Sequence, residues 1–131
     1  MTQNIEHNVV GWFEIPVTDM ERAMKFYETV FEFELSRNQM GPLAMAWFPW
    51  VDKGTGSGGS LVCYPGQYTP SGDGTLVYFT AWSGDVAVEL ARVEAAGGNV
   101  LMEKKEISPE HGYMALFLDT EGNRIALHSR T

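Results

Sequence analysis

The chain predicts an α+β fold made of two similar modules, and three features of the sequence carry that expectation. One plan occurs twice: a short apolar strand, a polar turn and an amphipathic helix, at residues 11–17 with 20–31 and again at residues 75–81 with 86–96. Glu14 and Tyr78, at matching places in the two strands, are 64 residues apart in a chain of 131. A repeat of that period marks units that share a core. Further strands bounded by turn residues follow each helix.

In the first helix, Ala23, Phe26, Tyr27, Val30 and Phe31 fall at i, i+3, i+4, i+7 and i+8, one apolar stripe. Thr18-Asp19-Met20-Glu21 ahead of it reads as a capping box, with Asp19 as an alternative cap. Residues 43–49 and 60–64 read as strands around the glycine-rich stretch 54–59. That stretch lacks the lysine of a phosphate-binding loop and reads as a flexible hairpin tip. Residues 64–74, with two prolines and three glycines, read as a linker. One domain, 1–131, thus divides into modules of about 8–64 and 75–131, joined by 65–74. In the second helix Val86, Leu90 and Val93 form the stripe, and Gly97-Gly98 ends it. The helices are expected near 20–32 and 85–96. Residues 99–105 form a strand, and 113–118 with 124–129 a hairpin around the turn-rich 119–123.

The net charge of −8 and pI of about 4.7 argue against nucleic acid and anionic membranes as partners. Cys63 is the only cysteine, so no intramolecular disulfide forms, which fits a reducing, cytoplasmic setting. Residues 1–7 do not read as a signal peptide, and no apolar run is long enough to span a bilayer.

Three stretches carry a family resemblance: Val17-Thr18-Asp19-Met20-Glu21-Arg22-Ala23 leading into Phe26-Tyr27-Glu28; Leu90-Ala91-Arg92-Val93-Glu94-Ala95-Ala96-Gly97-Gly98; and the closing Asp119-Thr120-Glu121-Gly122-Asn123-Arg124-Ile125. Over about residues 9–128 the chain resembles the family of glyoxalase, bleomycin-resistance proteins and extradiol dioxygenases (the vicinal oxygen chelate family). The resemblance implies two βαβββ modules whose curved sheets enclose a cleft. It also implies a small-molecule ligand and a homodimer.

Strand side chains alternate faces. Phe13, Ile15 and Val17 should pack under the helix, leaving Trp12, Glu14 and Pro16 for the cleft. Likewise Leu76, Tyr78 and Thr80, then Ala126 and His128, should face the cleft. The resemblance places metal ligands at Trp12, Leu76 and Ala126, with a fourth within 61–64. None of those three side chains has a metal donor, so no metal and no cofactor are expected at the family's positions. Glu14, Tyr78 and His128, two residues further along the same faces, are the candidate catalytic set, because a carboxylate, a phenol and an imidazole can exchange protons. A displaced divalent metal on Glu14 and His128, with Cys63 or water, is the alternative. Glu14 sits between Phe13 and Ile15 and needs a partner there, expected to be His128, Tyr78 or ordered water. Trp12, Trp47, Thr80 and His111 are the candidate ligand-binding residues, with Trp47-Phe48-Pro49-Trp50 supplying an aromatic wall.

Three functions remain side by side at this level. One is a metal-free small-molecule-binding protein of the glyoxalase/bleomycin-resistance type. Another is an enzyme, a lyase, isomerase or dioxygenase working through Glu14 and His128. The third is a structural or regulatory dimer with a vestigial cleft. Whether the chain is an enzyme is left open.

Overall fold

The computed structural model describes residues 5–131. Of the stretch 1–7 that is not expected to be a signal peptide, residues 1–4 lie outside the described part. The first module runs β1 (Trp12–Pro16), α1 (Met20–Phe31), β2 (Ser36–Met40), β3 (Leu43–Trp47) and β4 (Gly58–Cys63). The second runs β5 (Val77–Thr80), α2 (Val86–Val93), β6 (Asn99–Ser108), β7 (Gly112–Leu118) and β8 (Arg124–Ser129). Each module folds into its own four-stranded sheet, in the orders β1-β4-β3-β2 and β5-β8-β7-β6. In both, the first strand pairs in parallel with the last and the other pairs are antiparallel. The α+β, two-module expectation holds. No helix among the described residues is long and apolar enough to cross a membrane.

Local details differ from expectation in instructive ways. Asp19, rather than Thr18, caps α1: its Oδ1 accepts from the Arg22 N–H at 3.1 Å, while the Thr18 hydroxyl donates to Glu121. The helix stops at Phe31 because Glu32 takes a left-handed conformation, φ 59°. α2 ends at Val93, and residues 94–96, expected as helix, form a turn. β2 has no counterpart in the sequence reading; all five of its residues are exposed, so no apolar alternation marks it.

The two modules share one core. Phe79 of β5 stacks on Tyr27 and Phe31 of α1, with ring centroids 5.7 and 5.0 Å apart. The 119–123 turn then bolts the second module to the first. Glu121, its side chain fully buried, accepts from Thr18 N, Thr18 Oγ1 and Asp19 N at 2.9, 2.9 and 3.0 Å. Arg22 adds Nε at 2.8 Å and Nη2 at 3.0 Å, and Thr120 Oγ1 adds a sixth donor at 2.9 Å. Burial raises this carboxyl, but hydrogen bonds from Arg22, Asp19, Thr18 and Thr120 outweigh it and hold its pKa down at about 2. Beside it, the Tyr27 hydroxyl donates to Asp119 Oδ2 at 2.6 Å, and Asn123 Nδ2 donates to the Pro16 carbonyl at 2.7 Å. Burial first, and the Asp119 charge second, push the Tyr27 phenol well above its ordinary range.

Candidate functional site

β1 and β5 are each the terminal strand of a sheet, and together they flank a cavity of about 1140 Å³. Alternation sorts their side chains as expected. Ile15, Val17 and Phe79 belong to the core, with Phe13 and Val77 packed against it, and of these Phe13, Ile15, Val77 and Phe79 also reach the cavity. Trp12, Glu14, Tyr78 and Thr80 are exposed on the other face and line the cavity. The loop after β3 walls the cavity with Trp50, and the linker contributes Thr69 and Ser71. The glycine-rich stretch lies at the connection between the antiparallel strands β3 and β4, as a hairpin tip would, and its Gly56 and Gly58 also line the cavity.

Three expected site residues stand outside this lining. Trp47 lies behind Trp12, edge-on at a centroid distance of 5.0 Å, and so supports the wall. His128 is in register with Thr80 but one strand inward, and its Nε2 is tied to the backbone carbonyl of His111. His111 sits at the β6–β7 turn, where its Nδ1 lies 2.8 Å from Ser108 Oγ. The expected Glu14–Tyr78–His128 convergence is thus not assembled: Glu14 and Tyr78 share the cavity wall, and His128 is engaged elsewhere.

Glu14 does find a partner, from a place the sequence reading passed over. The Tyr68 hydroxyl, in the linker, donates to Glu14 Oε1 at 2.8 Å. That hydrogen bond, then the Glu14 charge, raises the Tyr68 phenol above its ordinary value. Nothing in the linker's composition signals this contact, because it depends on the path the chain takes across the cleft.

The metal positions can now be checked. Trp12, Leu76 and Ala126 offer no donor, and of the β4 residues Leu61–Cys63 the one on the cleft face is Val62, in register with Pro16. Cys63 points to the other face, its Sγ 3.8 Å from the Thr18 carbonyl. Among the described residues no three His, Cys, Asp or Glu side chains converge as a metal site would require, so Glu14, His128 and Cys63 form no such cluster. Trp12, Leu76 and Ala126 thus supply none of the ligands that the resemblance implies at those three positions.

Comparison with known proteins places this geometry in a family. The family model of the Glyoxalase/Bleomycin resistance protein/Dioxygenase superfamily matches residues 9–127. Among solved structures, a glyoxalase I mutant from Zea mays superposes with a TM-score of 0.68 at 20% identity, over 92% of this chain and 46% of that one. The chain therefore spans about half the length of the maize enzyme. TnmS3, an antibiotic binding protein from Streptomyces sp. CB03234, superposes with a TM-score of 0.66 at 24% identity, over 98% of this chain and all of that one. A glyoxalase/bleomycin resistance protein from Albidiferax ferrireducens T118 gives 0.63 at 22% identity, over 95% of this chain and 100% of that one. No curated protein matches the chain in sequence. With the family model covering nearly every residue from β1 to β8, the chain belongs to the Glyoxalase/Bleomycin resistance protein/Dioxygenase superfamily.

Proposed function

We propose that the protein binds a flat, largely apolar small molecule in the β1/β5 cleft and does so without a metal. The observation that carries this is the wall itself: Trp12, Phe13, Trp50, Tyr78 and Trp82 line a cavity large enough for a multi-ring ligand. Aromatic faces give contact area and stacking at little conformational cost. The full-length likeness to an antibiotic binding protein supports a sequestering role over catalysis. An open cavity of this size also speaks against a vestigial cleft. Glu14, paired with Tyr68, is the polar anchor on this wall and, in an enzymatic reading, the base.

Calorimetric titration with uncharged three-ring aromatics tests the assignment. Binding at one molecule per cleft is expected, weakened roughly tenfold or more in Trp12→Ala as stacking area is lost. Binding that ignores Trp12→Ala would sink it. Elemental analysis showing one tightly held Zn, Ni or Fe per chain would remove the metal-free part. We further infer a homodimer in a reducing, cytoplasmic setting, supported by Trp50 and Val51, which are 58% and 73% exposed in the single chain, and by the lone Cys63. A single sedimenting species of 14.6 kDa at micromolar concentration would refute the dimer.

A further inference from the structure

Glu14, Ser60 and Trp47 are register partners across β1, β4 and β3, so their side chains form one row on the cleft face. Two members of that row are anomalous. Ser60 Oγ and Trp47 Nε1 are both buried, and neither has a hydrogen-bond partner. Ser60 is 0% exposed. Buried polar groups are nearly always paired, because an unpaired one gives up its bonds to water for nothing. The neighbouring register pair on this face, Met45 and Val62, is apolar and buried, so the sheet is able to fill such positions without polar atoms.

An indole N–H only donates, and a serine hydroxyl, which can also accept, is free to donate alongside it, so the pair can present two donors to one oxygen. At the far end of the row Glu14 accepts, with Tyr68 on one of its oxygens. Trp12, which lines the cavity, is 38% exposed and packs edge-on against Trp47, which does not. The Trp12 ring lies so close over Gly58 that a Cβ there would come within 3.2 Å of it.

Resting on the cleft reading above, we propose that Ser60 and Trp47 form a two-donor receptor for a carbonyl-type oxygen on an aromatic ligand, with Trp12 as the movable cover that admits it. Adjacent strands are about 4.8 Å apart, so a ligand hydroxyl or amine that answers Glu14 lies roughly 5–10 Å from that oxygen. The ligand class is therefore an aromatic ketone or quinone carrying a donor group at that distance.

9-Fluorenone and fluorene share one tricyclic frame and differ by the carbonyl, which makes them the probes. Fluorenone should bind about tenfold more tightly, and only fluorenone should move the Trp47 indole N–H resonance downfield. The resonance is assigned by its loss in Trp47→Phe. Ser60→Ala and Trp47→Phe should each bring the fluorenone-to-fluorene ratio close to one. Ser60→Ala should leave the melting temperature of the ligand-free protein unchanged, because its hydroxyl has no partner to lose. Equal affinities in the unaltered protein with an unmoved Trp47 resonance would overturn the receptor and leave the cleft reading standing. So would a Ser60→Ala variant that melts lower yet keeps the full ratio. Failure of both probes to bind would overturn the cleft reading and the receptor together.

Discussion

Replacing Glu121 with glutamine should cost about 3 kcal/mol of stability at neutral pH. The carboxylate is fully buried and takes six donors, from Thr18, Asp19, Arg22 and Thr120. Its pKa falls from an ordinary 4.5 to about 2. At about 1.4 kcal/mol per pH unit, that difference amounts to about 3 kcal/mol of preference for the folded state. Arg22 donates to both carboxylate oxygens, so a glutamine must turn its amide NH₂ toward one of the guanidinium N–H groups whichever way it lies, and it recovers little of this. For a chain of this length the loss corresponds to a melting-temperature drop of roughly 10 °C. The sign with pH follows from a depressed folded value: the stabilisation is complete above about pH 4.5 and fades as pH falls toward 2. Urea unfolding of both proteins should therefore show a gap of about 3 kcal/mol at pH 7 that closes between pH 5 and pH 2. A gap below about 1 kcal/mol at pH 7, or one that persists unchanged at pH 2, would refute the bolt assigned to this turn.

Three further outcomes are expected. Tyr27→Phe removes the 2.6 Å hydrogen bond to Asp119 in the core and should cost about 1.5–3 kcal/mol by urea unfolding; a neutral result would show that the bond is not formed. Gly112 has φ +82°, and a Cβ there would lie 2.3 Å from the Ser129 carbonyl oxygen, so Gly112→Ala should lower the melting temperature clearly, whereas Gly56→Ala, also at positive φ but in open space, should cost less. Glu14→Gln should bring the Tyr68 titration, followed by phenolate absorbance, down toward 10.0, because the hydrogen bond and charge that raise it weaken or vanish; an unmoved titration would remove the Glu14–Tyr68 contact.

What the sequence made legible was whatever a local period encodes. The stripe on α1 announced its buried face, since Ala23, Phe26, Tyr27, Val30 and Phe31 are all buried. The period of two in β1 and β5 placed Trp12, Glu14, Tyr78 and Thr80 on the cleft wall. β2 escaped notice because Ser36-Arg37-Asn38-Gln39-Met40 hides no face and so alternates with nothing. Glu14 was recognisable as a residue in need of a partner, but the partner was not. Tyr68 reaches it from 54 positions away through a linker whose route no local pattern records. His128 was assigned the right strand but the wrong neighbourhood, because side-chain alternation fixes a face and says nothing of distance from the sheet's edge. The closing Asp119–Asn123 motif was legible as a turn and a family mark, whereas its work as a bolt appears only once Thr18 and Arg22 are folded against it.

The placement of β1 and β5 has a consequence for how copies of this protein meet. Two four-stranded sheets own four open edges, and every open edge is a template on which a foreign strand can pair. Here two of them, β1 and β5, both border the cavity. The outer two are blunted by their own chemistry. β2 shows only exposed and mostly polar side chains, while β6 presents Glu103-Lys104-Lys105-Glu106 and breaks register three times against β7. Sheet-to-sheet growth is discouraged at these two outer edges. For the dimer proposed above, this leaves side-chain packing rather than backbone pairing at those edges as the means of association, and Trp50 and Val51 stand exposed for it.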